Sequence, residues 1–286
     1  MAGPDTQFDL QDFVSRTLAE DLGKGGDVTS NATISADARF IAEMNCREAI
    51  VVAGLDIAAA FFRALDRDVL IEKLVADGGF VPAGTVLMKL EGNARAMLTA
   101  ERSALNTLQH LSGIATLTRR YVDKIEGTGA TLLDTRKTIP GLRLLDKYAA
   151  RMGGAANHRM RLDDGLLIKD NHVGVAGGIE AAVLAAKAAN TGLPVQVEVD
   201  RIDQIEPALQ AGADRLLLDN MPPPVLREAV ALVAGRVPLE ASGGVNLDTI
   251  RGIAETGVNY ISVGRITQSA PAVDIGLDFS LQQSAV

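Results

Sequence analysis

From residue 130 onward the sequence repeats the same pattern of a strand, a loop and a helix. Six short apolar runs each end in a polar residue, namely Asp134, Lys169, Glu198, Asp219, Glu240 and Ser262. The steps between these ends are 35, 29, 21, 21 and 22 residues, which is the spacing of βα units. The segments between the runs have helical patterns, and several stop at a glycine, such as Gly212, Gly235 and Gly257. The pattern predicts an irregular, incomplete α/β barrel, and a doubly wound open sheet is the alternative fold.

The first hundred residues follow a different pattern. Residues 8–20 have the periodicity of a helix, whereas residues 39–45 alternate like a strand. Such a mixture is typical of a small α+β domain. We therefore predict an N-terminal α+β domain over residues 1–112, which residues 270–286 could complete, and a barrel domain over residues 113–269.

Composition fits this fold and excludes other classes of protein. Apolar residues make up 47% of the chain and charged residues 22%, which are the proportions of a globular protein rather than a disordered one. Tryptophan is absent and aromatic residues make up 3%, so the core must be aliphatic, as in buried parallel strands. The net charge of −8 argues against nucleic acid as a partner, because binding a phosphate backbone needs a basic surface.

The cysteine content and the apolar runs indicate in which compartment of the cell the protein works. The single cysteine, Cys46, cannot form an internal disulfide or a thiolate metal site, and we interpret it as a buried structural residue. The first residues lack the basic and apolar regions of a signal peptide. The longest apolar stretch, residues 49–62, is too short to span a bilayer. We expect a cytoplasmic protein that has no membrane partner.

Basic residues are concentrated in one part of this acidic chain. They are Arg136, Lys137, Arg143, Lys147, Arg151, Arg159, Arg161 and Lys169, with His158 among them. Such a cluster predicts a local pocket for an anion. The alternative is a solvated helix surface, and we assign Arg143, Lys147 and Arg151 to that surface.

In a βα barrel the carboxyl ends of the strands form the mouth, and active sites lie there. The strand ends of this chain carry Arg136, Lys137, Lys169, Glu198, Asp219, Ser242 and Gly264. Burying an unpaired charge typically costs about several kcal/mol. These side chains should therefore face a shared, ligand-filled cavity. Two glycine-bearing turns, Ser242-Gly243-Gly244 and Val263-Gly264-Arg265, predict a phosphate site, since glycine lets backbone N–H groups approach an anion.

Several chemistries are open for the other residues at the mouth. Glu198 and Asp219 could coordinate Mg²⁺ or stabilise a cationic transition state, and paired acid–base catalysis is a weaker alternative. Lys169 could form a Schiff base. A zinc site that uses His158 and His172 is disfavoured, because their spacing matches no familiar ligand pattern.

At these residues the chain resembles the quinolinate phosphoribosyltransferase family, the carboxylating nicotinate-nucleotide pyrophosphorylases. The resemblance covers nearly the whole chain and is carried by EDLGKGGDVTS, ERSALNTLQHLSGIAT, LLDTRKTIPGLRLLDKYAARMGGAANHR, LIKDNH, VEVD, LLLDN, EASGGVN and ISVGRIT. It implies that quinolinate and phosphoribosyl pyrophosphate react, with Mg²⁺, to nicotinate mononucleotide, pyrophosphate and CO₂. It also implies a smaller N-terminal domain, an irregular α/β barrel and an obligate homodimer with a shared active site. Assembly beyond the dimer is left open.

The resemblance assigns roles residue by residue. Substrate would be bound by Arg102, Thr135, Arg136, Lys137, His158, Arg159 and Lys169, with Arg102 lent by the neighbouring subunit. The catalytic set would be Lys137, Lys169, Glu198 and Asp219. Glu198 and Asp219 would also hold Mg²⁺, directly or indirectly. The 5′-phosphate would lie on Ser242, Gly243, Gly244, Val263, Gly264 and Arg265.

Two positions depart from the family pattern. Gln268 stands where family members often have a histidine, and Arg265 stands where a small residue is common. Both leave the details of the phosphate contact open.

Three other functions are kept as alternatives. A molybdenum-transport-linked relative shares the DTRKT block but lacks the lysine of LIKDNH, so the presence of Lys169 disfavours it. A Schiff-base aldolase would use Lys169 as its nucleophile. A non-catalytic sensor of a phosphorylated metabolite gives no reason for the two acids at the mouth.

Overall fold

The computed structural model describes residues 8–281. They form two compact units, one of residues 8–117, 144–153 and 270–281, and one of residues 118–143 and 154–269. The domain limits drawn from the sequence stay a prediction. Residues 1–7 and 282–286, which that prediction includes, lie outside the described residues.

The secondary structure alternates strands and helices along most of the chain. The strands are β1 (Arg39–Cys46), β2 (Ile50–Val51), β3 (Leu70–Lys73), β4 (Phe80–Val81), β5 (Val86–Asn93), β6 (Thr131–Leu133), β7 (Leu166–Ile168), β8 (Val195–Val199), β9 (Arg215–Asp219), β10 (Leu239–Ser242), β11 (Tyr260–Ser262) and β12 (Ile275–Leu281). The helices are α1 (Leu10–Leu22), α2 (Val28–Thr33), α3 (Leu55–Leu65), α4 (Ala94–Lys124), α5 (Arg143–Met152), α6 (Asp170–Ala176), α7 (Ile179–Ala188), α8 (Ile205–Gln210), α9 (Pro223–Val233), α10 (Ile250–Ala254) and α11 (Arg265–Gln268).

The first unit is built on a four-stranded sheet in the order β12-β1-β5-β3. β1 pairs antiparallel with both β12 and β5, so its inward side chains Ala42 and Met44 are buried in the middle of the sheet. Cys46 at the end of the strand is buried and free, which confirms its interpretation as a structural residue. The α+β pattern predicted for this part of the chain is therefore present.

The returning C-terminal segment packs closely on α4 within this unit. Val273 N donates to the Gln109 carbonyl at 3.2 Å, and Gln109 Nε2 donates to the Ile275 carbonyl at 2.7 Å. A Cβ atom on Gly113 would lie 2.2 Å from the Pro271 carbonyl oxygen. Only a glycine at residue 113 allows this approach. Among the described residues no helix, α4 included, combines the length and the apolar character that crossing a membrane requires.

Helix α5 also belongs to the first unit from residue 144 onward, although its sequence lies between two barrel strands. Asp146 is fully buried and accepts from His110 Nε2 at 2.8 Å. Tyr148 Oη donates at 2.5 Å to Asp77, which also caps the first N–H groups of α3. These two polar contacts anchor α5 in the unit.

The interpretation of Arg143, Lys147 and Arg151 as a solvated surface is wrong for Lys147, which is 0% exposed. Arg143 is half-buried, and its guanidinium donates to the Met160 carbonyl at 3.2 Å. The Arg151 guanidinium lies 5.7 Å from the ring centre of Tyr148. The helix is buried because its polar side chains find partners in the protein.

The second unit contains a six-stranded parallel sheet in the order β6-β11-β10-β9-β8-β7. These are the six strands that the sequence predicts. Beyond β6, Leu133 forms a parallel bridge to Ala156, so the segment after α5 adds a short further pairing on that side. The inner strands are aliphatic, as Val195, Val197 and Val199 of β8 are all buried. The six-stranded parallel sheet, with helices between its strands, bears out the predicted irregular α/β barrel.

Candidate active site

The carboxyl ends of the barrel strands surround a cavity of about 710 Å³. Its lining includes fourteen of the residues assigned from the sequence, which are Thr135, Arg136, Lys137, His158, Arg159, Lys169, Glu198, Asp219, Ser242, Gly243, Gly244, Val263, Gly264 and Arg265. The other assigned residue, Arg102, is exposed on α4 in the first unit. A larger groove of about 1080 Å³ lies between α1 and α3, but its lining is mainly apolar and brings no comparable set of charges together. The barrel mouth is therefore the candidate site.

Sequence reasoning assigned no role to four polar residues at this mouth. Asn220, Glu240, Ser262 and Gln268 also line the cavity. In the sequence, Glu240 and Ser262 mark the ends of strands, and Gln268 is a departure from the family pattern.

Asp134, at the end of β6, fixes the backbone near the part of the cavity that is lined by Arg136, Lys137, His158 and Arg159. We call this part the cationic side. Asp134 is fully buried, accepts from the His158 backbone N–H at 2.8 Å and accepts from the side-chain amide of Asn157. One residue later, Thr135 Oγ1 accepts from the Lys137 backbone N–H at 3.0 Å. Both turns that carry cationic side chains are thus fixed by hydrogen bonds to their backbones.

The two arginines of this side, Arg136 and Arg159, form a pocket that suits an anion. Arg136 Nε is buried and has no hydrogen-bond partner among the described residues. Arg159 donates to the Gly165 carbonyl at 2.8 Å. Burial lowers the pKa of Arg159, and the nearby charge of Arg136 lowers it further. Arginine stays protonated in proteins, so the two guanidinium groups repel each other. A carboxylate bound between them would reduce this repulsion and would accept a hydrogen bond from the unpaired Nε.

His158 has both ring nitrogens bonded to the protein. Nδ1 accepts from the Arg159 backbone N–H at 2.7 Å, so it must carry a lone pair. Nε2 then carries the proton, and it lies 3.4 Å from Glu240 Oε2. The contacts define a neutral imidazole of the Nε2–H form, because the hydrogen bond at one ring nitrogen decides which nitrogen carries the proton.

We expect nitrogen NMR of the wild-type protein to show His158 in the Nε2–H form. The chain has three histidines, and His158→Gln would identify the resonance. The same spectrum of His110→Gln serves as the control, since that substitution should leave the His158 signals in place. A resonance of the Nδ1–H form, or of an imidazolium at neutral pH, would contradict the assignment.

Glu240 lies below His158 on β10 and is fully buried. Gln196 Nε2 donates to its Oε2 at 2.8 Å, and Arg215 Nη1 lies 3.9 Å from the same oxygen. Arg215 in turn stacks over the ring of Tyr260 at 3.8 Å. Burial by itself raises the pKa of Glu240, but the hydrogen bonds that it accepts from His158 and from the amide of Gln196 bring it below the ordinary value. Glu240 is therefore a carboxylate inside the barrel.

Glu240→Gln should lower the stability of the protein most at neutral pH. A lowered pKa in the folded state means that the carboxylate stabilises the fold above the ordinary glutamate range, and that this contribution is lost as the pH falls through the folded pKa. The amide also leaves Arg215 without its counter-charge, which typically costs about 3 kcal/mol. We expect the gap in Tm between wild type and variant to narrow from pH 7 to about pH 4. A gap that does not change with pH would refute a charged Glu240.

Lys169 and Glu198 face each other across the ends of β7 and β8. Lys169 Nζ lies 2.8 Å from Glu198 Oε2, and His172 Nδ1 accepts from the Lys169 backbone N–H at 3.0 Å. His172 is therefore a structural hydrogen-bonding residue. The ion pair uses the Lys169 amino group as a cation, which does not suit a Schiff-base nucleophile.

Asp219, at the end of β9, is the second acid of the cavity. Burial raises the pKa of Asp219 and the carboxylate of Glu198 raises it further, against a lowering by the hydrogen bond from Asn220. Two carboxylates that repel each other attract a cation. The described residues contain no group of three or more His, Cys, Asp or Glu side chains that could hold a metal ion. The pair thus fits Mg²⁺ that brings further ligands from a phosphorylated substrate, as this ion commonly does.

The turn after β11 fixes the position of Lys137. A Cβ atom on Gly264 would lie 2.7 Å from Lys137 Cδ, so the lysine stem lies directly over this glycine. Thr267 Oγ1 donates to the Lys137 carbonyl at 2.8 Å. The side chain of Gln268 lies close by, with Oε1 at 3.7 Å from the same Cβ position. The predicted phosphate turn and the DTRKT loop are therefore packed against each other.

A barrel mouth that combines two neighbouring arginines, an ammonium–carboxylate pair and two glycine turns defines an α/β-barrel enzyme for anionic substrates. Comparison with known proteins gives the family. The model of the quinolinate phosphoribosyl transferase N-terminal domain matches residues 27–112, and that of the C-terminal domain matches residues 114–278. The chain belongs to the quinolinate phosphoribosyl transferase family.

Individual relatives cover almost the whole chain. The nicotinate-nucleotide pyrophosphorylase (carboxylating) of Mycobacterium leprae is 42% identical over 96% of this chain and 99% of its own length. The probable enzyme of that name in Bacillus subtilis is 40% identical over 97% of this chain and 96% of its own. The solved structure of the nicotinate-nucleotide pyrophosphorylase of Francisella tularensis has a TM-score of 0.91 at 42% identity, over 95% and 96% of the two chains.

Proposed function

We propose that this chain transfers the phosphoribosyl group of phosphoribosyl pyrophosphate to quinolinate, and that CO₂, pyrophosphate and nicotinate mononucleotide are formed, as a step of NAD biosynthesis. The observation that carries this proposal is the cavity itself. It brings cationic residues that suit a dicarboxylate together with two acids that suit a ribose cation, in a chain whose relatives bear the name of this activity.

The cationic side would bind quinolinate. Arg136 has a buried donor that needs an acceptor, Arg159 is repelled by it, and Lys137 is held nearby by the turn at Gly264. Arginine pairs with carboxylates through two parallel hydrogen bonds, which would fix the plane of the ring. Thr135, His158 and Lys169 complete this wall. Because His158 is neutral and bonded on both sides, it would shape the wall rather than supply charge.

The acidic side would stabilise the transferring ribose. The ring nitrogen attacks the anomeric carbon while the bond to pyrophosphate breaks, and the electron pair of that bond leaves with pyrophosphate. Positive charge develops on the ribose, and Glu198 and Asp219 would lower its energy electrostatically. Glu198 and Asp219 would hold Mg²⁺, directly or indirectly, and the ion would supply positive charge for the leaving pyrophosphate.

Decarboxylation follows from the product of the transfer. The positively charged ring nitrogen accepts the electron pair of the carbon–carbon bond as CO₂ leaves from the adjacent carbon, and a proton from solvent replaces it. The task of the protein is to hold that carboxylate in position and away from bulk water. The arginine pocket provides this positioning.

The glycine turns would hold the 5′-phosphate. Ser242 offers a hydroxyl, Gly243 and Gly244 expose backbone groups, and Arg265 adds a charge. Arg102 is exposed on α4, which suits a residue that reaches the site of a second subunit. The proposal includes a homodimer with shared active sites, located in the cytoplasm. Higher assembly is not part of the proposal.

The test is to incubate the purified protein with Mg²⁺, phosphoribosyl pyrophosphate and carboxyl-labelled quinolinate, and to follow CO₂ and nicotinate mononucleotide together. We expect equal amounts of both products, and neither when the metal is chelated. If a folded protein forms neither product, the proposal fails, and other N-heterocyclic acids become the next substrates to try. Borohydride with a carbonyl substrate is the control for the aldolase, and we expect no trapped adduct on Lys169.

A further inference from the structure

Asn220 has an unusual backbone at the edge of the cavity. Outside glycine, three of the described residues have positive φ angles, namely Asn190 at 48°, Asn220 at 55° and Ala234 at 48°. Of these, Asn220 lines the cavity at the barrel mouth. The left-handed region costs a residue with a side chain about 1 kcal/mol, and such strain is retained mainly where the surroundings require it.

The contacts of Asn220 show what the strained backbone achieves. The side-chain Nδ2 donates to Asp219 Oδ2 at 2.6 Å. The backbone N–H donates to the Ser242 carbonyl at 2.9 Å, which ties residue 220 to the end of the neighbouring strand. The amide thus occupies Oδ2 of Asp219, whereas Oδ1 accepts no hydrogen bond from any described residue.

Gly243 is shaped by the same amide. A Cβ atom on Gly243 would lie 2.2 Å from Asn220 Oδ1 and 2.9 Å from the Asn220 backbone nitrogen. Real Cβ atoms do not approach so closely, so any other residue at 243 must displace the amide. The Asn220 side chain therefore occupies the space next to the phosphate turn.

The amide restricts the rotation of the Asp219 side chain. Asp219 and Glu198 line the same cavity. An aspartate side chain has two rotatable bonds, so without a fixed partner its carboxylate is free to turn away from the cavity. A donor fixed on Oδ2 prevents this rotation and leaves the other oxygen for a ligand.

We propose that Asn220 is a positioning residue that holds the Asp219 carboxylate toward the bound phosphoribosyl pyrophosphate, and that its amide fills the space that a side chain at residue 243, where φ is 90°, would need. The inference rests on the proposed function, in which Asp219 faces the ribose and Mg²⁺. It assigns Asn220 no contact with the reacting atoms.

The central test is Asn220→Gly, measured beside Asn190→Gly. Glycine accepts a positive φ without strain, so both variants keep or relieve the backbone and should stay within about 3 °C of the wild-type Tm. Asn190 shares the left-handed backbone but does not line the cavity, which makes it the matched control. Only Asn220→Gly removes an amide from Asp219.

We expect Asn220→Gly to weaken binding of phosphoribosyl pyrophosphate with Mg²⁺ about tenfold in calorimetry, and to lower kcat about tenfold to a hundredfold, as is typical for residues that orient a ligand-binding group. The KM for quinolinate should change less than about threefold. Asn190→Gly should match the wild type in every measurement. A purely structural role would instead lower Tm and leave both substrates equally affected, which would overturn the inference.

A second variant tests the role of residue 243. Gly243→Ala should weaken binding of phosphoribosyl pyrophosphate strongly in the wild-type background and clearly less in the Asn220→Gly background, because the colliding amide is then gone. Equal effects in both backgrounds would overturn the link between the two residues. If the wild type binds no phosphoribosyl pyrophosphate and forms no product, the proposed function fails and this inference fails with it. If the wild type is active and Asn220→Gly equals it, only the inference fails.

Discussion

Replacing Lys137 by alanine is expected to lower kcat/KM for nicotinate mononucleotide formation by about a hundredfold to a thousandfold, the usual effect of removing one group that stabilises charge in a transition state. The ammonium lies at the cavity where quinolinate and the leaving pyrophosphate would carry their negative charges. The lysine is placed by contacts that alanine largely keeps. Its backbone N–H bonds to Thr135 and its carbonyl bonds to Thr267.

The measurement is steady-state kinetics with Tm recorded for each variant. Lys124→Ala is the matched control, because Lys124 is an exposed lysine at the end of α4 that does not line the cavity. Both variants should melt within about 3 °C of the wild type, since exposed lysines contribute little to stability. Near-normal turnover of Lys137→Ala would remove this residue from the catalytic set.

The barrel strands and the charged mouth could be predicted because they leave local signals. Each strand is a short aliphatic run, and the charged residue that follows it must lie at the common edge of the parallel sheet. Lys169, Glu198 and Asp219 therefore meet in one cavity although up to 50 residues separate them in the sequence. At these positions the periodicity of the strands and the charge of the residues both predict a place at the mouth of the barrel.

The placement of α5 could not be predicted in the same way. Its basic residues follow the DTRKT block, and a basic helix in an acidic chain is usually a solvated surface. The structure buries Lys147 and anchors the helix through Asp146 and Tyr148, whose partners His110 and Asp77 lie far away in sequence. Such pairings depend on the tertiary fold and leave no mark in local spacing.

The supporting residues of the site were missed for another reason. Glu240 stands inside an apolar strand and is buried. An acidic residue in such a strand was the one signal in the sequence that this side chain needs a partner inside the protein. Arg215 at the start of its strand reads as an ordinary surface residue, although it lies 3.9 Å from Glu240. Asn220 is missed because its backbone angle, which decides its role, cannot be read from the residue type alone.

Gly113→Ala should produce the largest loss of stability among the glycine substitutions within helices. The new Cβ would lie 2.2 Å from the Pro271 carbonyl oxygen and 3.1 Å from Ala272 Cα, and both are backbone atoms that no rotamer change can move. The C-terminal segment must then leave α4 and lose its hydrogen bonds to Gln109. Overpacking of this kind costs about 3 kcal/mol or more. We expect Tm to fall by roughly 5–10 °C.

Gly252→Ala is the control that separates this collision from the general effect of glycine in a helix. Gly252 lies inside α10, and a Cβ there would meet no atom within 4 Å. Alanine should therefore stabilise that helix by about 0.5–1 kcal/mol, because glycine is the poorer helix former. We therefore expect Tm to fall in Gly113→Ala and to rise in Gly252→Ala, and the collision at residue 113 is the cause of this difference. If Gly113→Ala were as stable as the wild type, the C-terminal segment would not pack on α4, and residues 270–281 would have to be removed from the first unit.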